Sequence, residues 1–343
     1  MRFSDLAIQR WEKEIYQMKK ELCKVSIIVP CYNEEESLPS FLRELRKVCD
    51  ALDDIWFEWL FIDDGSSDHT LELIKNERKA DVRVRFLSFS RNFGKEAAIY
   101  AGLKHSSGDY TAIMDADLQD PPSLLPQMIE IMQDGEYDCV ATRRVNRTGE
   151  PPVRSFFARI FYRLIGVLLP NMDIVDGARD YRLMNRSVVD SVLELTEYNR
   201  FSKGIFGWVG FRTKWISYQN IERIAGETKW SFWKLFLYSL EGLTAFTTAP
   251  LSAVVMVGLA CCIVAFLMIV VVIGKTMIFG DPVGGWPSLA CLILMLGGVQ
   301  LFSLGIIGKY LAKAYLEVKH RPIFLIRETD KTLSGKMECD DRK

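Results

Sequence analysis

Asp115 and Asp117 stand one residue apart in the run Ile113-Met114-Asp115-Ala116-Asp117-Leu118-Gln119-Asp120-Pro121-Pro122. Two carboxylates at this spacing can hold a hard divalent cation, and Mg²⁺ or Mn²⁺ commonly shares its shell with substrate phosphates. The preceding stretch, Tyr110 to Met114, is apolar and reads as a strand. Open α/β sheets gather ligand-binding groups beyond the carboxyl ends of their strands. A bare Asp-x-Asp also describes an ordinary acidic turn, so the pair needs company before it means chemistry.

Three earlier strand ends supply that company. Val25–Pro30 runs into Pro30-Cys31-Tyr32-Asn33-Glu34-Glu35, and Phe57–Asp63 into Asp63-Asp64-Gly65-Ser66-Ser67-Asp68. Val84–Phe89 is followed by Arg91-Asn92-Phe93-Gly94-Lys95-Glu96. Any one cluster can be helix capping, for which Ser66, Ser67 or Asp68 would serve. Capping does not require four acidic or amide clusters at successive strand ends. Their convergence predicts a crevice on one edge of a parallel sheet.

The elements that must position these groups alternate. Helical patterns over 37–49, 67–78, 94–105 and 123–133 separate the strands, and a fifth strand is expected over Asp138–Thr142. Such alternation means a mostly parallel, Rossmann-like α/β sheet with helices on its faces. Ahead of it, residues 1–24 carry Ile8, Trp11, Ile15, Met18 and Leu22 at 3-4-3-4 spacing. This amphipathic helix packs on its own domain or forms a contact between subunits. Val153–Leu169 sets Phe156, Phe157, Ile160, Phe161 and Leu164 against Arg154, Arg159 and Arg163. That pattern suits a helix on a membrane surface and equally one with a solvated Arg face.

Composition changes along the 343 residues. Leu251–Ile273 and Trp286–Gly308 contain no charged side chain. Each is long enough to cross about 30 Å of hydrocarbon, for which about 20 residues suffice. The expected organisation is the helix over 1–24, a catalytic domain over 25–229 and a juxtamembrane amphipathic helix over 230–246. Two transmembrane helices come next within 247–310 (about 251–273 and 286–308), then a tail over 311–343. Lys229, Lys234, Lys309, Lys313, Lys319 and Arg321 flank the hairpin, whereas its link has one Lys and one Asp. The expected localisation is an integral protein of the plasma membrane, and the positive-inside rule puts its catalytic domain and both termini on the cytoplasmic side. Residues 1–24 have no apolar h-region, so no secretory signal is expected there. The eight cysteines form no C-x-x-C pair and read as reduced, apolar fillers. A net charge of −1 argues against a nucleic-acid partner.

The ordered set P-x-Y-N-E, D-D-G-S-S-D, R-N-F-G-K, D-A-D-L-Q-D-P and E-R-x-A-G-E-T-K-W resembles glycosyltransferase family 2 over roughly residues 24–326. Within it, the set is most similar to the polyprenyl-phosphate glycosyltransferases. The resemblance implies a GT-A fold, a nucleotide-sugar donor, Mg²⁺ or Mn²⁺, and a polyisoprenyl-phosphate lipid acceptor in the bilayer. It implies that Pro30, Tyr32, Glu34 and Asp64 border the nucleotide, Asp64 at the base edge. Asp115 would face the sugar-nucleotide, and Asp117 with Gln119 would hold the metal. Lys95, near a helix start, would reach donor phosphate or sugar, unless it is a solvated surface lysine.

A lipid phosphate needs Arg or Lys partners. Candidates are Arg143, Arg144 and Arg147 after the fifth strand, Arg200 and Lys203 in Tyr198–Gly204, and Arg223 and Lys229 before the membrane. Some of these would meet lipid headgroups instead. Asp180 matches the G-D-F-R-L segment of the resembled family, where it would orient or deprotonate the acceptor, or else pair with Arg182. Arg179 stands where that family commonly has glycine, which puts the tight turn there in question.

The reaction so implied is an inverting transfer, with UDP-glucose to undecaprenyl phosphate the first choice. UDP-GlcNAc, GDP-mannose or an aminoarabinose donor are alternatives. A processive polysaccharide synthase would carry a Q-x-x-R-W motif, which is missing here. A non-catalytic scaffold would not keep every acidic position filled. The N-terminal seam and Gly297, Gly298, Gly305 and Gly308 are compatible with a homo-oligomer or with close packing of two helices in one chain.

Overall fold

Strands β1 (Cys23–Cys31) and β2 (Ile55–Asp63) pair in parallel, with Cys31 opposite Asp63. Both are buried on both faces through most of their length, which is why they read as unbroken apolar runs. The computed structural model describes residues 23–144, 175, 177–218, 249–279 and 285–330. Helices α1 (Leu38–Cys49), α2 (Thr70–Ala80) and α3 (Lys95–His105) alternate with β1, β2, β3 (Val84–Phe89) and β4 (Tyr110–Ile113). A 3₁₀ turn at Pro122–Leu124 leads into α4 (Leu125–Gln133), and β5 (Cys139–Arg144) comes after it. In α1, Leu38, Phe41, Leu42, Leu45 and Cys49 fall on one stripe and are all buried. They meet Trp59, Phe61, Phe86 and Tyr181 in the core.

The remaining elements of this domain are β6 (Ala178–Asn185), α5 (Arg186–Glu194), α6 (Ser202–Trp208), β7 (Thr213–Tyr218) and β8 (Ile326–Thr329). The eight-stranded sheet has the order β7-β5-β6-β4-β1-β2-β3-β8. β6 runs antiparallel to β4 and β5, and β8 antiparallel to β3; the other pairings are parallel. This is a mixed, mostly parallel α/β sheet of GT-A type. The carboxyl ends of β1 to β5 and β7 therefore share one edge with the amino ends of β6 and β8.

Two features depart from the expected organisation. The catalytic domain does not end before the apolar helices: residues 322–330 return to it, and β8 completes the sheet. Phe324 stacks on Phe89 at 5.1 Å, and Lys75 and Arg85 pair with Glu328 and Asp330 at 2.7 and 3.3 Å. Part of the segment expected as a plain tail is thus a strand. Second, Gly177 makes the turn questioned at Arg179. Its φ is 78°, and a Cβ there would lie 2.6 Å from the Arg144 carbonyl oxygen. Arg179 itself belongs to β6.

The second unit holds α7 (Ala249–Phe279) and α8 (Trp286–Val318). Both charge-free runs are therefore helical. Among the described residues one stretch, Met295–Val318, is long and apolar enough to cross a membrane by length and composition. It lies further along than the expected 286–308. Leu301, Phe302, Leu304 and Leu311 on α8 are each at least 64% exposed, an apolar surface that water would not favour. Of the helix expected over 1–24, Cys23 and Lys24 belong to β1 and residues 1–22 lie outside the described residues, as do the helices expected over 153–169 and 230–246.

Candidate active site

A cleft of about 300 Å³ opens at the shared sheet edge. Pro30, Tyr32, Glu34, Asp64, Lys95, Asp115 and Asp117 all line it. The structure thus brings together every residue expected at the nucleotide-sugar and one of the two expected at the metal. Asn92 and Gly94 line it too, although the sequence marks them only as part of a polar strand end.

The loops that carry these side chains hold one another. Asn33, with φ 55°, accepts from the Ser67 amide at 2.8 Å. The Glu34 amide donates to Thr70 Oγ1 at 2.8 Å, and the Glu35 amide to Asp68 at 3.2 Å. Gly65 has φ 67°, and a Cβ there would lie 2.5 Å from the Arg91 carbonyl carbon. That close approach lets Asp64 accept from the Phe93 and Gly94 amides at 2.6 and 2.9 Å. Asp64 is 3% exposed, and burial raises its pKa against the pull of those two amides. Asp64 is therefore an anchor for the third loop as well as a wall of the cleft.

Lys95, at the first turn of α3, joins two halves of the site. Its Nζ lies 2.7 Å from Asp115 Oδ1 and 2.7 Å from Asp180 Oδ2. Burial would lower the lysine pKa, but the two carboxylates outweigh it and hold it well above the usual range. Burial likewise pushes Asp180 up, yet Lys95 and then Lys203 bring it well below the usual carboxylate range. Asp180 is therefore ionised and engaged, which suits orientation better than proton abstraction. Arg182, the alternative partner of Asp180, lies with its guanidinium 3.6 Å over the Phe206 ring and donates to the Arg179 carbonyl at 3.2 Å.

The other expected acceptor cations separate into groups. Lys203, on α6, faces Asp180, and burial lowers its pKa. Glu96 sets that helix in place by accepting from the Ser202 amide at 2.9 Å and from the Ser202 hydroxyl. Arg144 donates to Gln119 Oε1 at 2.8 Å. Arg143 is exposed and donates to Ser217 Oγ at 2.9 Å. Arg200 is 9% exposed; it donates to the Leu195 and Val192 carbonyls at the end of α5 and lies 4.4 Å over Tyr100. The structure does not bring it to the cleft. Arg147, Arg223 and Lys229 lie outside the described residues.

The acidic turn has its own fit to a metal. Among the described residues no three of His, Cys, Asp and Glu could hold an ion together. Asp115 and Asp117 offer hard oxygen donors side by side on the cleft, which fits a Mg²⁺ or Mn²⁺ that completes its shell with substrate phosphate. Gln119 differs from expectation. Its Oε1 accepts from Arg144 at 2.8 Å and Arg179 at 3.4 Å, which uses both lone pairs of the amide oxygen. Asp120 is fully buried and accepts on Oδ1 from Arg179 at 2.9 Å and the Tyr218 hydroxyl at 2.6 Å. Nothing local in the sequence signals Tyr218, which is 98 residues away.

The model of Glycosyl transferase family 2 matches residues 26–193. The prophage bactoprenol glucosyl transferase homolog of Escherichia coli (strain K12) is 41% identical over 90% of this chain and 100% of its own length. The bactoprenol glucosyl transferase of Shigella phage SfII is 42% identical over 89% of this chain and 98% of its own. Glucosyl-3-phosphoglycerate synthase of Mycobacterium tuberculosis, solved with Mn²⁺, UDP-glucose and phosphoglyceric acid, aligns with a TM-score of 0.43. It is 21% identical over 65% of this chain and 78% of that one.

Proposed function

The chain belongs to glycosyl transferase family 2, and on that premise we propose that it transfers a sugar from a nucleotide-sugar to the phosphate of a polyisoprenyl lipid. The observation that carries this reading is the shared cleft. Asp115 and Asp117 line it, and Lys95 links Asp115 to Asp180 and the cation Lys203 beyond. One side has the carboxylates a nucleotide diphosphate and its metal require; the other has the cations an anionic acceptor requires. UDP-glucose is the proposed donor and undecaprenyl phosphate the proposed acceptor, in keeping with relatives named bactoprenol glucosyl transferases that align over nearly the whole chain. The apolar helix α8 supports attachment to a bilayer, where such a lipid resides. We place the catalytic domain on the cytoplasmic side, from the basic flanks of the apolar runs.

A phosphate oxygen of the lipid attacks the anomeric carbon, and the bond from that carbon to the donor's diphosphate oxygen breaks. The nucleoside diphosphate leaves with the electron pair, and the configuration inverts. The acceptor phosphate has a second pKa of about 6, so it arrives largely ionised and needs little general-base help. Asp180 orients, Lys203 offers charge to the acceptor phosphate, and Lys95 balances the two carboxylates as both substrates enter. Held by Asp117 and Asp115, Mg²⁺ or Mn²⁺ would supply positive charge beside the departing diphosphate.

The test is a donor panel with the full chain in detergent, undecaprenyl phosphate and Mg²⁺ or Mn²⁺, scored by sugar-bearing lipid, with Asp117→Ala alongside. Product from UDP-glucose that disappears in the variant and with chelator supports donor, acceptor and metal together. Product only from another donor keeps the reaction and replaces the sugar. Absence of product from every donor overturns the reading.

A further inference from the structure

The turn that presents Asp115 and Asp117 contains a disfavoured backbone. Leu118 has φ 58°, in the left-handed region, and its side chain is buried at 8% exposure. A branched, buried residue stays in that region only where its surroundings over-determine it. One hold is internal: the Gln119 amide donates to Asp117 Oδ1 at 3.0 Å. The others come from across the sheet. Arg144 at the end of β5 reaches Gln119, and Tyr218 at the end of β7 reaches Asp120. Arg179 on β6 reaches both, with Nε 2.9 Å from Asp120 Oδ1 and Nη2 3.4 Å from Gln119 Oε1.

The charge pattern makes Arg179 the least replaceable of the three. Asp120 has no exposed surface, and its Oδ2 has no hydrogen-bond partner among the described residues. A buried carboxylate without a cation is strongly unfavourable. The family resemblance leads one to expect glycine at position 179, and a glycine would leave Asp120 with the neutral Tyr218 hydroxyl alone. This chain instead has a cation there, aimed back at the residues just after the acidic pair.

We propose that Arg179 is a positioning residue, which acts through Asp120 and Gln119 to hold the turn that presents Asp115 and Asp117 to the donor and its divalent cation. The inference rests on the proposed nucleotide-sugar transfer. It adds a residue that lies outside the lining of the cleft yet sets the affinity for both. Groups that orient metal-binding carboxylates typically change metal affinity or activity by about 10–100-fold when removed.

The experiment measures Mn²⁺ affinity in the presence of UDP by electron paramagnetic resonance, on the full chain in detergent, for wild type, Arg179→Gly, Arg179→Lys and Asp120→Asn. Arg212→Ala, on an exposed loop remote from the turn, is the control. Arg179→Gly is expected to weaken Mn²⁺ binding by at least about tenfold, with a rise in donor KM larger than the fall in kcat. Arg179→Lys should recover part of the loss, because the charge returns without the fork. Asp120→Asn should behave like Arg179→Gly, and it keeps the test open if the glycine variant does not fold. Variants that lose thermal stability but bind Mn²⁺ with UDP within twofold of wild type overturn the inference and leave the proposed function standing. A wild type that binds no Mn²⁺ with UDP overturns both.

Discussion

The ammonium of Lys95 lies 2.7 Å from the carboxylate of Asp180, although the two are 85 residues apart in sequence. The same nitrogen is 2.7 Å from Asp115. One cation thus serves both the carboxylate we propose to face the donor and the one we propose to face the acceptor. Lys95→Met leaves both without that partner in a partly buried site. The expected result is a fall in kcat of about a hundredfold, in the range seen when one preorganised electrostatic group is removed. Steady-state transfer assays check it. A variant with wild-type kcat would mean that the paired Lys95 contributes nothing to the transfer step.

Gly65→Ala tests how tightly the loops are set. The φ of 67° disfavours any side chain, and the new Cβ would meet backbone of Arg91 and Asn92 at 2.5 to 2.9 Å. The third loop must retreat, and Asp64 would lose its bonds to Phe93 and Gly94. The expected outcome is a rise in donor KM together with a lower Tm. Measuring both separates this from a purely local strain, which would move Tm alone.

The first half of the catalytic domain was legible because its central strands are buried on both faces and end in polar clusters. Val84–Phe89 is the strand the sequence indicates, and β4 stops one residue before the expected Met114. The chain beyond β5 was far less legible. β6 places Asp180 and Arg182 among apolar residues, so no simple alternation shows. β8 has four residues, and its partner β3 lies about 240 positions earlier. Arg200 looked like the other basic candidates, since nothing in a sequence separates an arginine facing an anion from one capping buried carbonyls. Gln119 was expected at the metal only through the family resemblance. The arginines that take its amide oxygen come from two other strands.

Glu58 should make stability depend on acid. It sits within β2 at 4% exposure and accepts from Ser26 Oγ at 2.6 Å and Arg85 at 2.6 Å. Burial raises its pKa, but the bonds from Ser26 and Arg85 prevail and bring it down to about 2. A folded-state pKa below the unfolded value of about 4.3 stabilises the fold above that pH. The contribution is lost as pH falls from about 4 toward 2. Glu58→Gln should cost on the order of 3 kcal/mol at pH 7 and progressively less below about pH 4. Thermal unfolding across pH checks it, and a penalty independent of pH would contradict the assignment.

Arg200 and Lys203 lie three residues apart, and the structure gives them different work. Arg200 is held by the Leu195 and Val192 carbonyls and covers the Tyr100 ring. Removing it leaves buried carbonyls unpaired, which typically costs about 1–3 kcal/mol. Arg200→Ala should therefore lower Tm and leave the acceptor KM of the folded fraction unchanged. Lys203 faces Asp180 and is crowded by Lys95, Arg179 and Arg182. Burial, with the crowding of those three cations, outweighs the attraction of Asp180 until the acceptor's charge arrives, so removal of Lys203 should cost the free protein little. Lys203→Ala is expected to keep or raise Tm while raising the acceptor KM about tenfold, roughly the worth of one charge-assisted bond. Paired measurement of Tm and acceptor KM decides between the two roles. Equal rises in acceptor KM for both variants would place Arg200 at the phosphate after all.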